Sequence, residues 1–327
     1  MSNLILSIII PSFNTVKFIE HTLPTFIDPR LEGKLEVLVI SDGSTDGTVE
    51  LARKYECKSS IIKVVEKENG GHGSVINMGI EIAKGKYIKV VDGDDTVITE
   101  NLVKLIDDLE QSNADLVITQ YNTIDISKNN LCLLRGVKDF PEKKELNIDN
   151  ITESIGAGCI HSYHFLREKI KGKFLLTEKC FYDDFEYTSF PLPFIDTLMY
   201  LAYPVVNYYI GQKGQSVNIR NTYKNRIMHE TILMDSIDFF NSITLPLSDS
   251  KWKYIYDELV RLSVSNYNIY IKNSDLKDSY IELKRFDDLL KKKSEKVYSL
   301  TRKKLYIRMV MKNIVAFNII GFINRFK

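Results

Sequence analysis

Tyr87-Ile88-Lys89-Val90-Val91-Asp92-Gly93-Asp94-Asp95 joins a mostly apolar, β-prone run to three carboxylates within four residues. The first half reads as a strand buried on both faces, and the second half stands at its exit. Carboxylates so crowded repel one another unless solvent or a hard cation compensates them, and Mg²⁺ or Mn²⁺ takes oxygen ligands of this kind. Asp and Gly also make ordinary solvated turns, so the motif alone leaves a metal site and an acidic turn both open. The surrounding chain has to decide between them.

Working outward, the same strand signal occurs at Leu4 to Ile10, ended by Pro11-Ser12-Phe13-Asn14, and at Leu35 to Ile40, ended by Ser41-Asp42-Gly43-Ser44. Helical segments follow from about Val16 to Phe26 and from Val49 to Tyr55, the latter with Thr45 or Asp46 as a cap. Ile61 to Val65, Ser74 to Ala83, Glu100 to Gln111 and Asp115 to Thr119 continue the alternation as strand, helix, helix and strand. This order predicts an α/β fold with a mostly parallel sheet covered by helices, whose ligands sit beyond the carboxyl ends of the strands. Asn14, Asp42 and Asp92 all fall at such ends, so three polar clusters are expected on one rim. Between about Leu131 and Asn150 the pattern weakens into charged loop, and a second acidic cluster, Asp183-Asp184-Phe185-Glu186, comes later. Beyond Asn221, apolar residues recur at helical spacing over Ile227 to Phe240, Tyr254 to Ile271 and Tyr280 to Leu290, which predicts a helical C-terminal module.

A chain of 327 residues exceeds the usual size of one core, so two units are expected. The formal net charge of +1 gives no general affinity for nucleic acid, but its distribution is uneven. From Lys291 to Lys327 there are eleven Lys or Arg and one acidic residue, Glu295. Cys57, Cys132, Cys159 and Cys180 form no C-x-x-C pair, which argues against a zinc knuckle or disulfide framework and fits a reducing compartment. The opening apolar run lacks a basic lead and a small-residue cleavage site, so it reads as a first strand and not a signal peptide.

Four blocks, Ile8 to Asn14, Val37 to Gly47, Lys67 to Gly79 and Lys89 to Asp95, together resemble the inverting family 2 glycosyltransferases of the GT-A fold, in order and spacing. The resemblance implies a Rossmann-like nucleotide-sugar-binding and catalytic domain over 1–220 and a helical region over 221–327. It implies a UDP-sugar donor held by Pro11, Phe13 and Asn14 under the nucleotide, with Phe13 standing where many members have Tyr. It gives Asp42 the role of accepting the uracil imide N–H, and places Asn69 and Gly71 of Asn69-Gly70-Gly71-His72-Gly73 near ribose and phosphates, close to a helix start at Ser74. Asp92 and Gly93 would contact the donor, Asp92 and Asp94 would hold Mn²⁺ or Mg²⁺, and Asp95 is either a third ligand or a capping turn residue. Many relatives place Arg just before the Asn that matches Asn77, where this chain has Ile76. Asp184 is expected as the base that deprotonates the acceptor hydroxyl, with Glu186 in reserve and helix capping as the alternative job for the pair. Lys213 and Ser216 resemble the segment that closes over the diphosphate. His161 reads as structural.

The acceptor implied is a glycan or lipid-linked saccharide of bacterial capsule or cell-wall synthesis, which sets the chain in the cytoplasm at the inner face of the membrane. Lys303, Lys304, Arg308 and Lys312, followed by the apolar Ile314 to Ile323, suit peripheral contact of 303–327 with anionic lipid; packing on the body or in a homo-oligomer is the other reading. Two rivals use the same carboxylates. Asp92-Gly93-Asp94-Asp95-Thr96 also fits the nucleophile motif of haloacid dehalogenase-like phosphohydrolases, and a non-catalytic sugar-nucleotide binder would keep the donor site without the base.

Overall fold

The computed structural model describes residues 4–128, 130–135, 140–151, 160–211, 219–275 and 277–324. The chain divides into two compact units, 1–213 and 214–327. In the first, β1 (Leu6–Ser12), β2 (Leu35–Asp42), β3 (Ile62–Lys67) and β4 (Tyr87–Val90) form a parallel group in the spatial order β3-β2-β1-β4. The sheet continues through β5 (Thr96–Val97), β6 (Leu116–Asp125), β7 (Leu131–Arg135), β8 (Glu145–Asn147), β9 (Tyr163–Leu166) and β10 (Thr197–Ile210). Its full path is β3-β2-β1-β4-β9-β6-β10-β5, with β7 on β6 and β8 on β10. β6 and β10 pair parallel over a long run, while the short strands β5, β7, β8 and β9 pair antiparallel. The sheet is therefore mostly parallel by paired length.

Helices α1 (Val16–Thr22), α2 (Thr48–Glu56), α3 (His72–Ile82) and α4 (Thr99–Gln111) follow β1, β2, β3 and β5, and α5 (Arg167–Ile170) and α6 (Asp184–Ser189) come later. Every residue of β1, β2 and β4 is buried, which is why their hydrophobicity is nearly continuous; edge strand β3 alternates instead. On one face Leu6, Ile8, Ile10, Val37 and Val39 join Leu102, Leu105 and Leu109 of α4 in a single core. On the other, α3 approaches so closely that a Cβ at Gly79 would stand 2.6 Å from the Ile9 side chain. Each such aliphatic residue, fully buried, contributes about 1.5–3 kcal/mol.

Three local expectations change. The helix at Val16 stops at Thr22, and Leu23–Phe26 turns as a 3₁₀ segment around Pro24, which has no N–H to continue an α-helix. Neither Thr45 nor Asp46 is the N-cap of α2: Gly47 is, in the left-handed conformation at φ 93°. Asp46 accepts from Thr48 N at 3.0 Å and, through its other oxygen, from Val16 N at 3.1 Å, so it secures the starts of α1 and α2 together. The charged stretch 131–150 contains β7 and β8 where a loop is expected, because these strands form by pairing with β6 and β10 and not by burying a face. All five residues of β7 are exposed, so hydrophobic alternation carries no signal there.

The second unit is helical over its described residues: α7 (Ile219–Lys224), α8 (Arg226–Ser242), α9 (Asp249–Lys272), α10 (Ser279–Lys293), α11 (Glu295–Thr301), α12 (Leu305–Lys312) and α13 (Ile314–Asn324). Ile232, Leu233, Ile237, Tyr267, Tyr270 and Phe286 are among its buried apolar residues. Buried Tyr270 donates to Glu230, which Arg285 also grips, so this carboxylate is satisfied inside the helical packing. No described helix is long and apolar enough to cross a membrane.

Candidate active site

The loops after β1, β2, β3 and β4 meet at the carboxyl ends of the strands and are tied together by hydrogen bonds. Asn14 leaves β1 in the left-handed region at φ 55°, a conformation Asn tolerates better than most residues. Its side-chain oxygen accepts from Thr45 N at 2.9 Å, which locks the first loop to the second. Pro11 is buried and Phe13 exposed. Gly93 sits under this turn, and a Cβ there would lie 2.9 Å from the Pro11 carbonyl oxygen.

Asp42 is buried at the exit of β2. Its Oδ1 accepts from Lys67 Nζ at 2.9 Å and Gly70 N at 2.8 Å, its Oδ2 from Gly71 N at 2.8 Å, and its carbonyl from the Asn69 amide at 2.9 Å. The carboxylate expected to read a base thus also organises the Asn69–Gly71 loop. Four acceptor positions minus three donors leave one on Oδ2. The helix after this loop starts at His72, not Ser74, and Gly71 precedes it at φ 86°. A Cβ on Gly71 would stand 2.9 Å from Lys179 N, so glycine lets the later segment cross here.

That crossing carries the second acidic cluster onto the rim. His72 lies between the two clusters, with Nδ1 2.8 Å from Asp183 Oδ2 and Nε2 3.2 Å from Asp92 Oδ1. Burial disfavours charge on the ring, but the flanking Asp183 and Asp92 carboxylates outweigh it and hold its pKa well above the usual value. As imidazolium it donates one N–H to each carboxylate. No periodicity or ligand spacing marks His72 in the sequence; its place in the glycine-rich Asn69–Gly73 loop is the signal that points to it.

Asp183 is buried, whereas Asp184 keeps an exposed side. Protein crowding around its carboxyl raises Asp184 to about 7, His72 opposing and Asp92 and Asp183 reinforcing. Asp183 stands at the N-cap position of α6 but its side chain makes no capping bond, and Asp184 is the first residue of the helix. Glu186, the reserve base, is excluded by its surroundings: fully buried, it accepts from Thr177 N at 2.7 Å and Thr177 Oγ1 at 2.8 Å.

Asp95 is neither a capping residue nor open to the rim. It is fully buried, its Oδ1 accepts from Tyr209 N at 3.0 Å, and it ties the acidic loop to β10. His161 lies 3.4 Å from Asp95, stacks on Tyr208 at 4.3 Å between ring centroids, and is pushed down to about 4 by burial, so it is neutral. Its carbonyl accepts from the buried Lys89 amine at 2.6 Å. Two groups bring ligating atoms within 4.8 Å of one another: His72–Asp183–Asp184 and Asp92–Asp95–His161. In the first group a cation would have to displace a proton that Asp183 and Asp92 hold on His72. Asp95 and the neutral His161 stay available beside Asp92 in the second group. Asp94 belongs to neither group; burial together with Asp92 raises it to about 6, as expected of neighbouring carboxylates, which a hard cation would suit. Lys213 and Ser216 lie outside the described residues.

A curled, mostly parallel sheet with flanking helices and an acidic rim defines the GT-A fold. Residues 7–170 match the family described as Glycosyl transferase family 2, and the chain belongs to that family. It is 33% identical over 142 residues to glycosyltransferase GlyG of Streptococcus pneumoniae serotype 4, covering 43% of this chain and 46% of that protein. The chain thus spans about half the length of that relative. It is 30% identical over 219 residues to the uncharacterized glycosyltransferase MG060 homolog of Mycoplasma pneumoniae, covering 65% of this chain and 71% of that one. Residues 1–349 of S. aureus TarS, solved in complex with UDP-GlcNAc, superpose with a TM-score of 0.70 at 19% identity over 98% of this chain and 92% of that one. The family match covers the strand-loop units bearing Asn14 and Asp42, which a dehalogenase-like phosphohydrolase would leave without work, and that reading is not favoured.

Proposed function

We propose that this chain transfers a hexose or N-acetylhexosamine from a UDP-sugar to a hydroxyl of a glycan or lipid-linked acceptor, with inversion, in the cytoplasmic assembly of a bacterial surface polysaccharide. The observation that carries this reading is the Asp92–His72–Asp183 link, which joins the donor loop to the segment bearing Asp184. Occupancy of TarS by UDP-GlcNAc and by UDP supports a UDP donor.

In this reading the exposed Phe13 ring stacks on the base, the remaining Oδ2 position of Asp42 accepts its imide N–H, and Asn69, Gly71 and Gly93 let the backbone approach ribose and diphosphate. Asp92 and Asp94 would hold Mn²⁺ or Mg²⁺, which when bound supplies Lewis-acid neutralisation of the departing diphosphate. Lys213 and Ser216 are assigned to that diphosphate by the family resemblance alone. Asp184 takes the proton from the acceptor hydroxyl as its oxygen bonds to the anomeric carbon, and the anomeric C–O bond to phosphate breaks with its electron pair leaving on UDP. His72, charged and fixed between the clusters, keeps Asp183 and Asp92 in place. The regions 1–220 and 221–327 serve as catalytic domain and helical appendage.

A UDP-release screen across UDP-hexoses and UDP-N-acetylhexosamines, with lipid-linked acceptors and with EDTA, tests this. Acceptor-dependent release that EDTA abolishes and Mn²⁺ or Mg²⁺ restores is expected. Rapid hydrolysis of a generic phosphate ester without acceptor-dependent release would overturn it in favour of a phosphohydrolase.

A further inference from the structure

The helical unit ends on two consecutive helices, α12 and α13, whose exposed residues are largely apolar and basic. Between α12 and α13, Asn313 takes an extended conformation and its Oδ1 accepts from Ala316 N at 2.8 Å, capping the start of α13. One side of α13 is committed to the unit's interior. Phe317 is buried against Tyr280, with ring centroids 5.1 Å apart, and a Cβ at Gly321 would collide with the Ser274 side chain and the Ile271 carbonyl. Glycine therefore seats this helix against the end of α9.

That seating turns the opposite side outward. Ile314, Val315, Ile319 and Ile323 are 51–62% exposed and recur at i, i+1, i+5 and i+9, one helical face. Leu305 and Met309 are exposed on α12, whose Ile307 and Val310 point into the core. The helix that most needs burial thus buries its narrower side, and the packing alternative to membrane contact leaves this face uncovered.

Charge selects the occupant. Lys303, Lys304, Arg308 and Lys312 are all exposed, and residues 303–324 contain no Asp or Glu. A second copy docking face to face would bring four cations against four with no acidic complement. An anionic bilayer offers both an apolar phase and lipid phosphates. At about 1.5 Å per residue, α13 is some 16 Å long, half of what spanning takes. It can lie in the interface and not cross it.

We propose that this face is a membrane-docking surface for anionic lipid, with Ile314, Val315, Ile319 and Ile323 entering the acyl boundary and the four basic side chains meeting headgroup phosphates. It stands independently of the sugar chemistry proposed above. Flotation of the full chain with vesicles of equal parts phosphatidylglycerol and phosphatidylcholine, against phosphatidylcholine alone, tests it. The chain should float with the anionic vesicles only, and raised salt should release it. Val315→Glu/Ile319→Glu should abolish flotation, and Lys303→Glu/Lys304→Glu should lower the partition coefficient at least about tenfold, both with unchanged circular dichroism melts. Failure to float, equal binding to neutral vesicles, or flotation of Val315→Glu/Ile319→Glu at the native level overturns the proposal. So does light scattering in which that double variant turns a dimer into a monomer while lipid binding persists, since the face would then join two copies.

Discussion

Replacing His72 interrogates the link between the two acidic clusters. Its two N–H donors are 2.8 Å from Asp183 and 3.2 Å from Asp92, and Asp183 is only 2% exposed. Hydrogen bonds to charged groups each contribute about 1.5–3 kcal/mol, and a buried carboxylate left without its donor carries a further desolvation cost. His72→Phe, which keeps the bulk and removes both donors, should therefore cost roughly 3–5 kcal/mol in organisation of the site. At about 1.4 kcal/mol per decade, kcat falls some hundredfold or more. Asn places an amide near the position of Nδ1 and Gln near that of Nε2, so His72→Asn should recover about tenfold through the shorter Asp183 contact, and His72→Gln less. The assay is steady-state UDP release with donor and acceptor varied separately, alongside thermal melts. A purely structural histidine would lower the melt and leave the surviving enzyme's kcat intact. If His72→Phe keeps kcat within threefold of the parent, the link does not organise the reacting groups.

Gly73→Ala would set a Cβ 2.5 Å from the Thr177 carbonyl oxygen and 3.2 Å from Asp183 Oδ2. Because a backbone carbonyl yields poorly, about 1–3 kcal/mol of destabilisation and weaker UDP binding are expected by calorimetry; an unchanged melt and affinity would show that the crossing segment moves freely. In the helical unit, burial holds His229 down to about 4. Its folded pKa lies below the unfolded value near 6.5, so the unfolded chain binds the proton first, and stability present above pH 6.5 is lost as pH falls towards 4, by up to roughly 3 kcal/mol. Denaturant titrations of His229→Phe should lack that part of the slope between pH 6.5 and 4; an identical slope would assign the loss to other groups.

Strands buried on both faces were plain in the sequence, since β1, β2 and β4 must be nearly continuous in Val, Ile and Leu and then stop at polar exits. Those exits carried the rim: Asn14, Asp42 and Asp92 meet because a parallel sheet puts successive strand ends on one side. What failed to show was contact at long range. His72 and Asp183 are 111 residues apart, and no periodicity marks a histidine whose partner arrives from another loop. Glu186 illustrates the converse: next to Asp184 in an acidic run it reads as equally reactive, yet the fold spends both of its oxygens on Thr177. Strands β7 and β8 escaped notice because edge pairing satisfies their backbone without burying a face. For α13 the composition revealed an apolar helix, but only the seating of Gly321 reveals which side stays outside.

In the proposed reaction Asp184 receives the acceptor proton. Its carboxyl, raised to about 7, should titrate in the rate: ionised it accepts the proton and protonated it cannot, so turnover rises with pH through about 7 and levels off above it. The decisive measurement is the pH–rate profile of glycosyl transfer for the parent and for Asp184→Asn, with UDP affinity measured on the same preparations. The expected result is a rising parent curve and a flat Asp184→Asn curve lower by two decades or more, at native UDP affinity. Turnover of Asp184→Asn within tenfold of the parent, with the same pH dependence, would place the base elsewhere.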